Sequence, residues 1–377
     1  MDALRVLHVL HKMDYAGTET LLMNLYRVID RERIQFDFAV CSQEQGDYDS
    51  EIEALGGRII HYPRYTGINH CEYVKWWRSF FEKHPEYRIV HGHIGSTAAI
   101  YLHIASRCGR YTIAHSHATN SGKISFNEIL YRIYSYPTRF IANYYLGCSK
   151  AALVDRYGRR IANDKTRARV FFNAIDAEKF TYNEKVRAEV RADLKLGDCE
   201  IVLGTVGRLA PEKNPFMILE LIYKLKRRGA QFTFLWLGKG SMEPDIKQRI
   251  REMHLEETII MLGARSDINR MLQAMDIFVF PSLFEGLGIT CVEAQAADLR
   301  CFCSNVIPEE ARVTEKFEPI SIDDINEWVD RVGRAIEQRD FGRRDRSKEM
   351  MAAGYDIHSQ TEWLTKFYLN TAQHQLA

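Results

Sequence analysis

The hydrophobic pattern switches period repeatedly along the chain. Short apolar runs at Arg5–Leu10, Phe36–Cys41, Gly57–His61, Ile89–His93, Tyr111–His115, Tyr144–Cys148 and Arg169–Phe172 have strand length and polar or turn-forming flanks. Between them, Thr18–Val28, Asp49–Leu55, Cys71–Lys83 and Thr97–Cys108 read as helices, and the spacing of Trp76, Trp77, Phe80 and Phe81 favours core packing. Such alternation predicts βα units and a parallel sheet. The pattern begins anew at Glu200–Val206, continues with a helix over Pro215–Arg228, and adds strands at Phe232–Leu237, Ile259–Leu262 and Ile277–Phe280. The fold class is therefore α/β, with two successive doubly wound domains. Their boundary is expected near Asn173–Asp176, ahead of a polar helix over Ala177–Lys195, dividing the chain into 1–175 and 176–357.

Composition narrows the class. The 377 residues are 46% hydrophobic with 19 Phe, 19 Tyr, 5 Trp and only 9 Pro, which excludes general disorder. No apolar run approaches the ~18–20 residues of a membrane span, and Met1–Asp14 reads as a strand rather than a secretory signal. Eight scattered cysteines in mostly apolar contexts suggest buried thiols in a reducing cytoplasm. The net charge of +1 hides an asymmetry: residues 107–169 hold 12 basic against 3 acidic side chains, a field suited to phosphates or membrane anions.

Ligands of doubly wound domains bind beyond the carboxyl ends of the strands, and two such edges can face each other across a cleft. One candidate is the segment Phe280–Glu293, where a strand gives way to a Gly-containing turn and then a helix whose N-terminus can hold an anion. Glu285 stands at its mouth. With a helix from about Leu287, Glu293 is expected roughly 12 Å further on, at 1.5 Å per residue. The plainer reading makes Glu285 an N-terminal helix acid and Glu293 a surface residue. In Gly204–Pro215, Arg208 and Lys213 follow a strand, and two cations there can neutralise a diphosphate. After the first strand, Asp14–Glu19 offers Gly17 for close backbone approach, with Thr18 as a possible N-cap. His91, His93, His115 and His117 form two HxH pairs, each on one strand face. They admit a zinc site, but without Cys or carboxylate at ligand spacing the favoured reading is one substrate-bonding histidine, His117. Asp47-Tyr-Asp49 is read as an N-cap and first-turn acids rather than a metal motif.

Together these elements resemble the retaining glycosyltransferases of family 4, and within them the bacterial capsular and exopolysaccharide enzymes. The resemblance covers essentially the whole chain. It rests on the two glutamates separated by seven intervening residues and on the Gly-Arg-Leu loop that ends in Lys213-Asn214. It implies a GT-B fold of two Rossmann-like domains. The first is the acceptor side, completed by a C-terminal helix over about 358–377 that crosses back to it, and the second holds the donor. It further implies that Glu293 holds the nucleotide ribose and Glu285 the donor sugar, as a catalytic residue together with His117. Arg208, Lys213, Gly17 and the backbone of Gly286, Leu287, Gly288 and Ile289 would hold the diphosphate, and the loop carrying Arg265 would lie against the base. Two departures stand out. Asp298 and Arg300 replace the Gly and Pro usual after the helix, and Ala16-Gly17 replaces Gly-Gly.

The implied reaction moves a hexose or N-acetylhexosamine from a nucleotide-sugar, a UDP-sugar favoured, to a saccharide or polyprenyl-linked acceptor with retention of configuration, in capsule or exopolysaccharide synthesis. Cations and helix N-termini would meet the leaving charge, so no cofactor and no metal is expected. A two-carboxylate glycosidase is disfavoured, since its pair would stand roughly 5–9.5 Å apart. Phe126, Tyr131, Tyr134, Tyr136, Phe140, Tyr144 and Tyr145, interleaved with Lys123, Arg132 and Arg139, suit peripheral contact with the inner face of the membrane or a Tyr-rich core face. The alternatives are a sugar-nucleotide epimerase of the same architecture and a silent nucleotide- or nucleic-acid-binding protein. No nucleic-acid module appears.

Overall fold

The structure is a computed structural model that describes residues 3–117 and 132–375. The chain divides into two compact units, Met1–Ala174 with Asp356–Ala377, and Ile175–Tyr355. Each is built on a parallel sheet flanked by helices, as the alternation predicts.

In the first unit the strands are β1 (Leu4–Leu10), β2 (Ile34–Val40), β3 (Ile59–His61), β4 (Ile89–Gly92), β5 (Tyr111–Ser116), β6 (Tyr144–Gly147) and β7 (Ala168–Val170), in the order β3-β2-β1-β4-β5-β6-β7. The period of two in β1 sends Val6 and Leu10 into one core and Leu7 and Val9 into the other, so the sheet is covered on both faces. The first core takes Leu21, Leu22 and Leu25 from the helix Gly17–Val28, and Ile357, Leu364 and Tyr368 from the C-terminal helix Ile357–His374. Asp356 caps that helix, its carboxylate accepting from His358 N at 3.2 Å and Ser359 N at 2.9 Å. The second core takes Trp77, Phe80 and Phe81, with Trp76 packed at its edge.

The second unit contains β8 (Val202–Val206), β9 (Thr233–Leu237), β10 (Ile259–Gly263), β11 (Ile277–Phe280), β12 (Arg300–Ser304) and β13 (Phe317–Ile320), in the order β10-β9-β8-β11-β12-β13. Both sheets therefore reverse direction at one point, between β1 and β4 and between β8 and β11, the place where open α/β sheets take ligands.

Several elements differ from the sequence reading. Strands β12 and β13 were not anticipated; β13 contains Pro319, which an edge strand tolerates because it needs fewer ladder donors. The polar helix over Ala177–Lys195 is two pieces, Ala177–Phe180 and Glu184–Asp193, because Asn183 leaves helical geometry and caps the second, accepting from Val186 N at 3.1 Å. Only Cys148, Cys291, Cys301 and Cys303 are buried, while Cys71 and Cys199 are exposed. No helix among the described residues is long and apolar enough to cross a membrane.

Candidate active site

The loops that leave β8 and β11 are tied together at the reversal point of the second sheet. Leu283 N donates to Glu212 O at 2.8 Å, and the Lys213 ammonium forms an ion pair with Glu285. Lys213 Nζ also lies 5.0 Å from the centre of the Phe280 ring, a cation–π contact that holds it over the end of β11. An ammonium has three donors, so engagement with Glu285 leaves capacity for an anionic ligand. Arg208 is exposed and bonded to Glu212 Oε1 at 2.7 Å, and it lines a shallow pocket with Gly207, Lys213, Trp236 and Phe280. Glu212 and Phe280, partners of the two cations, were not singled out from sequence; the four-residue spacing of Arg208 and Glu212 was the available signal.

The helix after this loop starts at Ile289, with Gly288 at its N-cap in left-handed conformation, φ 82°. Glu285 therefore precedes the helix instead of lying in its first turn, and the expected rise of roughly 12 Å to Glu293 does not apply, because the helix covers only half of that interval. The spacing of Glu285 and Glu293 along the chain therefore does not by itself exclude a glycosidase pair. Nor is Glu293 a surface residue: it is 6% exposed, and burial pushes its carboxyl up to about 8. Gly286 and Leu287 complete the turn between Glu285 and Gly288. Arg265, on the loop after β10, is engaged by Asp267 through two bonds of 2.7 Å, which hold Asp267 below the usual carboxylate range.

In the first unit, the helix after β1 begins at Gly17 and its N-cap is Ala16, not Thr18; a Cβ added to Gly17 would meet nothing within 4 Å. Asp47 does not cap the next helix either. Tyr48 holds that position without a side-chain bond, while Asp47 accepts from Tyr15 N at 3.1 Å; Asp49 stands in the first turn, as expected, and accepts from Gly46 N at 2.8 Å.

His91, His93, His115 and His117 are joined by a fifth histidine, His8, from within strand β1. Its signal was a polar residue at an inward position of β1, where it pairs in register with His91. His8 Nδ1 stands 3.0 Å from His93 Nε2, His93 Nδ1 2.8 Å from His117 Nε2, and His91 Nε2 3.2 Å from His115 Nδ1. Tyr368 of the C-terminal helix meets His91 Nδ1 at 2.6 Å. Burial lowers all five rings, His8 and His117 to about 3, so they are neutral at physiological pH. His117 lies one residue beyond the end of β5 and lines a cavity.

The basic aromatic stretch divides. Tyr134, Tyr136 and Phe140 are exposed, with Arg139 stacked 3.9 Å from the Tyr136 ring centre, whereas Tyr144 and Tyr145 are buried in β6. Lys123, Phe126 and Tyr131 lie outside the described residues.

Comparison with known proteins identifies the family and the fold. Residues 186–352 match the family described as glycosyl transferases group 1. EpsF of Bacillus subtilis (strain 168), which carries a glycosyltransferase name, is 31% identical over 97% of this chain and 96% of its own. The Escherichia coli UDP-Gal:alpha-D-GlcNAc-diphosphoundecaprenol alpha-1,3-galactosyltransferase is 25% identical, with 97% of each chain covered. Among solved structures, Anabaena HepE in complex with UDP-glucose superposes with a TM-score of 0.79 at 16% identity, covering 97% of this chain and 99% of that one, which shows a shared GT-B fold. The chain belongs to the group 1 glycosyl transferases.

Proposed function

We propose that this glycosyltransferase takes a hexose or N-acetylhexosamine from a UDP-sugar and transfers it, with retention of configuration, to a saccharide or polyprenyl-linked acceptor in capsule or exopolysaccharide assembly. The observation that carries the reading is the Lys213–Glu285 pair at the reversal point of the second sheet, beside the helix N-terminus at Gly288 and Ile289. Lys213, Arg208 and the backbone of Gly17 and Gly286–Ile289 take the diphosphate. Charge-assisted hydrogen bonds of this kind contribute about 1.5–3 kcal/mol each and stabilise the leaving group without a metal at the phosphates. Glu293 accepts from the ribose hydroxyls, Glu285 from the donor sugar, and Arg265 borders the base. His117 meets the donor sugar near the reacting centre. The donor and acceptor classes draw support from the names of the E. coli relative and the HepE complex. Exposed Tyr134, Tyr136 and Phe140 with Arg132 and Arg139 provide the peripheral contact with the inner membrane face.

The test is calorimetric titration of UDP and GDP into wild type and Lys213→Ala, with chelator present. UDP is expected to bind wild type and to bind the variant about 10–100-fold more weakly. Equal affinity in both removes Lys213 from the phosphate site, and preference for GDP overturns the base. Product NMR of the anomeric proton then decides retention.

A further inference from the structure

Five imidazoles share one region of the first unit, and their mutual hydrogen bonds do not satisfy them. His8 Nε2, His115 Nε2 and His117 Nδ1 are buried without a partner among the described residues. Buried polar atoms in that state call for an explanation. We propose that His93, His115 and His117 form a binding site for a late first-row divalent cation, zinc being the best chemical match, with a fourth position open to the adjoining cavity.

One ring nitrogen from each of these three residues can be chosen so that all lie within 4.8 Å of one another. Ligand nitrogens around tetrahedral zinc, at ~2.0–2.1 Å from the metal, stand roughly 3.3 Å apart, so modest ring rotations close the set. His93 Nδ1 and His117 Nε2 already point at one another across 2.8 Å, and His115 Nε2 is unengaged. Each inner ligand is also oriented from behind. His93 leans on His8, and His115 leans on His91, which Tyr368 holds in turn. Such outer partners fix the tautomer that leaves the ligating nitrogen bare. His8, His91 and His93 make a second convergent set, but His93 belongs to both and serves one. The set containing His117 is the one beside a cavity, of about 120 Å³, which Ser116, Thr138 and Arg156 also line and where a water or anion can complete the coordination. A cation on His117 Nε2 puts that ring's proton on Nδ1 and keeps the ring neutral. The site shares only His117 with the donor reading and uses neither Lys213 nor Glu285, so metal binding is tested independently of nucleotide binding.

The test uses the full-length chain, stripped with chelator and titrated with Co²⁺ and then Zn²⁺. One Co²⁺ per chain is expected, with the intense visible absorption of four-coordinate cobalt, displacement by Zn²⁺, and a raised Tm from mass action. His117→Ala, at the partly exposed edge of the set, should abolish the band while circular dichroism shows an intact fold. Tyr368→Phe keeps all three ligands and should weaken binding about 10-fold through the tautomer of His115. Lys213→Ala should leave the titration unchanged. Absence of stoichiometric binding, or a band that survives in folded His117→Ala, overturns the site whatever becomes of the nucleotide experiment.

Discussion

Asp298 shows how one residue reconciles a strained backbone with packing. It sits at φ 56° just after the helix Ile289–Ala296, a backbone conformation that favours glycine, and it is 2% exposed. Its carboxylate accepts from Arg346 Nε at 2.6 Å and Arg344 N at 2.6 Å and pairs with Lys316 at 2.9 Å. Asp298→Gly relieves roughly 1 kcal/mol of left-handed strain, but leaves the buried Arg346 short of a carboxylate, which costs about 3–5 kcal/mol. A net loss of about 2 kcal/mol or more is expected in urea unfolding, and a stabilised variant would show that the ion pair contributes little. Glu293 provides a second test at this scale. With its carboxyl raised from 4.5 to about 8, the native state retains a proton that the unfolded chain has released between those values. The stability it contributes is present below pH 4.5 and lost as pH rises through 8, by at most about 1.4 kcal/mol per pH unit. Glu293→Gln should remove that decline from the difference between the two stability–pH curves; parallel curves would mean an ionised, solvated carboxylate.

At the level of elements, the loop after β8 owes its path to its neighbour after β9. Gly207 N donates to Leu237 O at 3.0 Å and Leu209 N to Lys239 O at 2.9 Å. Gly238 permits this approach: at φ 141°, a Cβ there would fall 1.9 Å from Gly207 O. Gly238→Ala is expected to cost roughly 2–4 kcal/mol and to displace Arg208. Its signature would be weakened UDP binding that Arg208→Ala does not weaken further; full additivity would separate the two loops. This dependence was invisible in sequence, because it joins segments brought together by sheet order. Elements with strong periodicity, such as β1, β8 and the helix Pro215–Arg227, were legible. Strand β12 was not, since Arg300-Cys-Phe-Cys-Ser lacks a long β-branched run. Candidate side chains were legible as types at loop positions. Their partners Glu212, Phe280 and His8 were not, because pairing is set by register and by loop closure.

Taken as a whole, the chain leaves its first unit at Ala174 and returns to it only at Asp356. The two crossings run side by side, Ile175 N donating to Tyr355 O at 3.0 Å. Ending the chain at Tyr355 removes Ile357, Leu364 and Tyr368 from the first core. At ~1.5–3 kcal/mol for each buried side chain, the loss rivals the 5–15 kcal/mol that stabilises a typical domain. The truncated chain should show the first unit open to protease while the second remains resistant and still binds UDP. Resistance of both would mean that the terminal helix is dispensable. The same discontinuity orders events on the ribosome. At ~5–20 residues per second, roughly 10–40 s separate synthesis of β7 from that of the closing helix. For that interval the apolar face around Val6, Phe36 and Phe38 is covered by the helix Gly17–Val28 but lacks Ile357, Leu364 and Tyr368, while the second unit, continuous in sequence, can already fold. The nascent chain is thus expected to present this partly covered face to holding chaperones for a predictable time. Slow codons within 175–355 would lengthen its exposure, and swift passage through them would shorten it.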